Sequence, residues 1–160
     1  VTAPVDLAFT VRLPYAAAIR NGTKPIENRG RPPHGKYLGA RVALHAAMTW
    51  SKTGAADPRI RTWWWGPDRA DHPVDPVDFW PLVGRLIAVV TFAGWHQADR
   101  TTPFATCCQP WGDRMYNGSL DTVAWHIELA DITPIDPPTS RIHGRLSVPF
   151  TLADPIADPR

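Results

Sequence analysis

Alternation with a period of two residues is the clearest pattern in the chain. Leu7, Phe9, Val11 and Leu13 share one side of residues 7–13, and Val123, Trp125, Ile127 and Leu129 share one side of residues 122–129, opposite Ala124, His126 and Glu128. Successive side chains of a strand point to opposite faces, so each stretch predicts a strand with one buried face. Leu146, Val148, Phe150 and Leu152 repeat the pattern. Pro149 places that last strand at an edge, because proline cannot donate to a ladder. Arg41 to His45 reads as a further strand, with Val42 and Leu44 on one face. Gly84 to Phe92 is instead a continuous apolar run rich in β-branched residues, which favours a strand buried on both faces.

Helical signals are short. Pro14 suits a first helical turn, good helix formers follow from Tyr15, and Gly22 supplies a stop. Ala46 to Lys52 leaves room for one or two further turns. Residues 54–81 hold five prolines and little periodicity, which predicts an irregular insertion with a short helix allowed at Val77 to Leu82. Residues 30–40 and 97–121 read as loops and 153–160 as a frayed tail. The expected architecture is α+β and mostly β: a small β-barrel of five or six strands with two or three short flanking helices, forming a single domain over 160 residues.

Composition narrows the class of function. No run of 18 apolar residues exists, and the first residues lack the charged and apolar regions of a secretory signal, so a cytoplasmic protein with no membrane contact is expected. The two cysteines, Cys107 and Cys108, are adjacent, a spacing that matches neither a disulfide framework nor a zinc or redox motif. No His-x-x-His or paired-carboxylate spacing stands in for one. The expectation is therefore no metal and no cofactor, with a monomer preferred to an oligomer.

Charge is uneven. Residues 1–61 hold ten Lys/Arg against three Asp/Glu, and residues 62–160 seven against twelve. Between Arg20 and Arg41, six basic residues face Glu27 alone, which is either a solvated face or a local positive field able to attract phosphate. Within it, Gly22 to Arg29 concentrates Lys24, Glu27 and Arg29. Strand parity puts Glu27 and Arg29 on one face, so Lys24 meets Glu27 only if it leaves from the turn after the helix. Lys24 suits a phosphate or an oxyanion, against the alternative of a helix-terminal lysine. Glu27 suits the amino edge of a base or a water to be activated, against a structural pair with Arg29.

The order of these residues resembles the ASCH domain family of the PUA-like superfamily. Its Gly-x-Lys-x-x-Glu-x-Arg pattern is matched by Gly22, Lys24, Glu27 and Arg29. Arg12-Leu13-Pro14-Tyr15, Tyr37-Leu38-Gly39, Leu44-His45-Ala46, Pro110-Trp111 and Trp125-His126 resemble flanking segments, so the likeness spans roughly residues 7 to 150. The resemblance implies a PUA-like barrel with a cleft beside the first helix and RNA or a modified nucleoside as ligand. The expected site comprises Tyr15, Lys24, Glu27, Asn28, Arg29, Arg31, Lys36, His45 and Trp111. Lys24, Arg29, Arg31 and Lys36 would meet phosphate and sugar, Glu27 and Asn28 base edges, and Trp111 a base face.

The family also includes ribonucleases and a small amidohydrolase acting on N(4)-acetylated cytidine, which leaves a hydrolase using Lys24 and Glu27 as the alternative. Those amidohydrolases carry Thr where this chain has Glu27, so a Thr nucleophile does not transfer. A third alternative is a protein-interaction module built on Trp63-Trp64-Trp65, three rings that cannot all point inward from an extended segment.

Overall fold

Among the described residues six strands form one sheet: β1 (Val5–Leu13), β2 (Ile26–Arg29), β3 (Arg41–Trp50), β4 (Leu86–Gln97), β5 (Trp125–Pro134) and β6 (Phe150–Ile156), in the spatial order β2-β5-β4-β3-β1-β6. The computed structural model describes residues 3–99, 107–116, 121–145 and 149–160. Leu146 and Val148, expected in the last strand, lie outside them. The β1–β3 pair is parallel, and the other four pairings are antiparallel.

Residues 7–13 bury the face that their alternation specifies; in residues 122–129 Ile127 and Leu129 do so, but Trp125 on that face is only half-buried, while Ala124 and His126 on the other face are fully buried. Phe9, Val11 and Leu13 join Leu44, Phe92 and Ile127 in the larger core, together with Ala16 and Ile19 of the helix α1 (Tyr15–Arg20). Phe9 and Phe92 meet edge to face at 5.0 Å between ring centroids. Ala8, Ala43 and Val89 pack on the opposite face against Leu152. The continuous apolar run of β4 thus serves both faces of the sheet.

The sheet is not the barrel that the sequence predicts. It curls far enough to bring β2, at one edge, opposite β1 near the other, but no ladder joins the two. A side chain spans the seam instead: the Arg29 guanidinium on β2 donates to the Thr10 carbonyl on β1. With only four residues and charged groups turned into the seam, β2 pairs, among the described residues, with β5 alone.

Residues 54–81, expected to be irregular, are largely helical. They include the end of α2 (Lys52–Ala56), then α3 (Pro58–Trp65) and 3-10 turns at Pro67–Arg69 and Pro76–Leu82. Pro58, Pro67 and Pro76 occupy first-turn positions, where the missing N–H has no partner to lose. Ser51 and Asp57 cap α2 and α3 with side-chain acceptors. The tryptophan run therefore lies on a helix. Trp63 and Trp65 donate to the Asn21 side chain and the Pro73 carbonyl, and Trp64 packs on Phe79 at 4.6 Å between ring centroids, tilted by 41°, while staying 36% exposed. No helix among the described residues is long and apolar enough to cross a membrane.

The tail is tied down rather than frayed. β6 runs to Ile156, and the Asp158 carboxylate accepts from Arg41 Nε at 3.0 Å and Nη2 at 2.9 Å and from Arg160. Asp158→Asn is expected to lower unfolding free energy by about 1–3 kcal/mol, the usual effect of losing buried charge-assisted hydrogen bonds. Chemical denaturation measures it; no change would restore the frayed tail.

Candidate functional site

The turn after α1 aims the first functional group. Gly22 sits at φ +83°, and the amides of Thr23 and Lys24 both donate to the Ala18 carbonyl at 3.1 Å. Lys24 therefore leaves from the turn, ahead of β2, with 1% of its surface exposed. Its ammonium donates to Glu27 Oε2 at 3.0 Å and to the Ile26 carbonyl, and lies 5.4 Å from the Tyr15 ring centroid. From the other side, Arg29 Nε lies 3.2 Å from Glu27 Oε1. One buried carboxylate is thus held between two cations, each with its own oxygen. Burying these charges is costly unless all remain paired, so the three side chains constrain one another.

Above this trio a cleft of about 530 Å³ opens along the unclosed seam. Thr10 and the exposed Arg12 line it from β1, Tyr15 from α1, Ser51 from the α2 cap, and Asp113, Met115 and Tyr116 from the loop before β5.

A polar network behind the wall fixes its shape. The Tyr15 hydroxyl donates to Asp57 Oδ2 at 2.9 Å. Arg59 grips the Asp57 carboxylate, and its Nη1 reaches Asp113 Oδ1 at 2.9 Å and the Pro110 carbonyl at 2.8 Å. Asn28 completes the circuit: its amide nitrogen donates to Asp113 Oδ2 and the Trp111 carbonyl, and its oxygen accepts from the Asp113 amide. Burial, with Asp57 alongside, pushes the Tyr15 phenol well above its ordinary range, so it remains a donor at neutral pH. Burial also pushes the Asp57 carboxyl up, but the hydrogen bonds and charge of Arg59 outweigh it and hold Asp57 below the usual carboxylate range.

Of the residues singled out in the sequence, Tyr15, Lys24, Glu27, Asn28 and Arg29 come together at the cleft. Arg31 and Lys36 line a neighbouring, more apolar cavity of about 280 Å³, and Arg29 borders both. Trp111 and His45 line neither cavity. Trp111 is 5% exposed under the Arg59 guanidinium, 5.2 Å from its ring centroid. His45 is buried on the far face of the sheet: its Nδ1 accepts from the Thr10 hydroxyl at 3.0 Å and its Nε2–H donates to the Ile142 carbonyl at 3.2 Å. Burial lowers its pKa, consistent with a neutral, hydrogen-bonded imidazole.

Asp57, Arg59, Asp113 and Tyr116 escaped notice in the sequence. Asp57-Pro58 did carry a signal, since an acidic cap before proline marks a helix start. The other three arrive through long-range folding and have no local signature.

No family model matches the chain, and no curated protein matches it. Among solved structures, the crystal structure of ASCH from Zymomonas mobilis is similar at a TM-score of 0.50 and 18% identity, covering 91% of this chain and 86% of that one. The chain has an ASCH-domain fold.

Because the folded pKa of Asp57 is depressed, its contribution to stability is fully present above the unfolded value, about 3.9, and is lost as pH falls through the lower folded value. Asp57→Asn should therefore be less stable than the wild type at neutral pH and lose less stability below about pH 4. Urea unfolding across pH 2–7 tests this; parallel acid limbs would contradict it.

Proposed function

We propose that this protein binds single-stranded RNA and holds one base, ordinary or modified, in the cleft over Lys24, Glu27 and Arg29. The observation that carries the reading is the preformed ion trio on the floor of an open cleft of about 530 Å³. Glu27 presents a carboxylate already held in position, suited to accept from the exocyclic amine of a base such as cytosine. Tyr15 and Tyr116 line the same cleft and offer ring faces for stacking, the role the sequence assigned to Trp111.

Arg12 stands exposed at the mouth and suits a phosphate. Beyond Arg29, the neighbouring cavity leads to Arg31 and Lys36, so a strand leaving the cleft would meet further cations on its backbone. The ASCH-domain fold is consistent with a nucleic-acid-related role. Both Glu27 oxygens already face a cation, which suits accepting hydrogen bonds more than drawing a proton from water, so binding is preferred to hydrolysis.

Fluorescence anisotropy with a labelled single-stranded oligoribonucleotide tests the reading. Affinity should fall linearly with salt on logarithmic axes, and Arg12→Ala should weaken binding across sequences and reduce that slope by about one. The RNA should emerge intact. Absence of binding, or binding indifferent to salt and to Arg12→Ala, would contradict the proposal; a cleavage or deacylation product would favour a hydrolase.

A further inference from the structure

On the opposite side of the loop that walls the cleft, four side chains converge that no spacing rule connects. His96 on β4 and His126 on β5 are directly paired across the antiparallel ladder, with ring centroids 5.2 Å apart. Cys107 and Cys108 approach them from the loop between β4 and β5. One ligand atom from each of the four lies within 4.8 Å of every other. Cys107 Sγ is 3.5 Å from His126 Nδ1, and Cys108 Sγ is 3.5 Å from His96 Nε2. A tetrahedral ion with bonds of about 2.3 Å to sulfur and about 2.0–2.1 Å to nitrogen sets its sulfur and nitrogen ligands about 3.5 Å apart.

The surroundings point the same way. His126 Nε2–H donates to the Asp113 carbonyl at 2.8 Å, and His96 Nδ1–H to Glu128 Oε1 at 3.1 Å. Each histidine thus has its outer nitrogen engaged and its lone pair turned toward the sulfurs. This is the arrangement by which carboxylates and carbonyls orient metal-bound imidazoles.

The loop is shaped for the same purpose. Cys108 takes a left-handed conformation, φ 58°, which is uncommon for a residue with a side chain and lets adjacent cysteines face one centre. Gly112 closes the loop with no room to spare: a Cβ there would lie 2.8 Å from His126 Cε1, 2.9 Å from Cys108 Cβ and 2.7 Å from the Cys107 carbonyl.

We propose that His96, Cys107, Cys108 and His126 bind one zinc-class divalent cation in a tetrahedral site. Two sulfur and two nitrogen donors suit Zn²⁺ over oxygen-seeking ions, and four protein ligands leave no position for a reacting water, so the role is structural. Each thiol releases its proton to solvent as its sulfur takes the metal. The cation would fasten residues 107–113 to the sheet, and Asp113, held through its carbonyl by His126, faces the cleft network with its carboxylate. The proposal stands whether or not the cleft binds RNA.

Titration of the full chain with Co²⁺, after chelation and reduction, tests it. The expected result is one Co²⁺ per chain, tetrahedral visible bands, a thiolate-to-cobalt charge-transfer band, and displacement by Zn²⁺. The Cys107→Ser, Cys108→Ser double variant should lose the charge-transfer band. Glu128→Gln leaves all four ligands in place and should weaken Co²⁺ binding about 10–100-fold. A reduced wild-type chain that takes up no more Co²⁺ than the double variant, or binds it without the thiolate band, overturns the assignment.

Discussion

A lysine with 1% of its surface exposed constrains everything around it. Burying an ammonium there is costly unless acceptors meet it, and Lys24 finds them in Glu27 and the Ile26 carbonyl. Glu27 in turn needs its second oxygen met, and Arg29 meets it while reaching across to the Thr10 carbonyl. The seam between β1 and β2 is therefore filled by charged side chains where a barrel would place a ladder. One arrangement explains why the sheet stays open, why β2 is short and why the cleft lies where it does. A buried ion trio is weak support for stability, since apolar packing of equal volume is often as good. The proposed role in recognition would account for its position at an open cleft.

The cleft's far wall depends on a second cation. Arg59 joins Asp57, which fixes Tyr15, to Asp113, which fixes Asn28. The helical segment carrying Arg59 thus braces the cleft wall and is not an ornament on the sheet. The loop containing Asp113 is held from two directions, by Arg59 and Asn28 on the cleft side and by the histidine and cysteine cluster on the other. A loop placed so firmly can shape a pocket without the help of a ligand.

Much of the sheet was legible in the sequence because alternation reports which face is buried: β1 buries Phe9, Val11 and Leu13 as its parity specifies, and β5 buries Ile127 and Leu129, but it also buries His126 on the other face, where a hydrogen bond to the Asp113 carbonyl meets its polar ring. The position of Lys24 was legible too, because parity excluded the strand and left the turn. Closure was not, since whether two edges pair depends on what stands between them. Residues 54–81 misled because proline reads as a breaker, whereas Pro58, Pro67 and Pro76 begin helical turns. Trp111 and His45 carry the right chemistry for a ligand, but Arg59 covers one and the sheet hides the other. Adjacent cysteines give no metal signal by spacing; only the ladder pairing of His96 with His126 assembles the four donors.

Nuclear magnetic resonance titration of the labelled chain with a short single-stranded oligoribonucleotide tests most directly whether the seam is the binding site. The expected perturbations center on Arg12, Tyr15, residues 26–29 and residues 113–116, with weaker effects at Arg31 and Lys36. Shifts confined to the smaller cavity around Tyr37 and Phe92, or to the far face around His45, would contradict it.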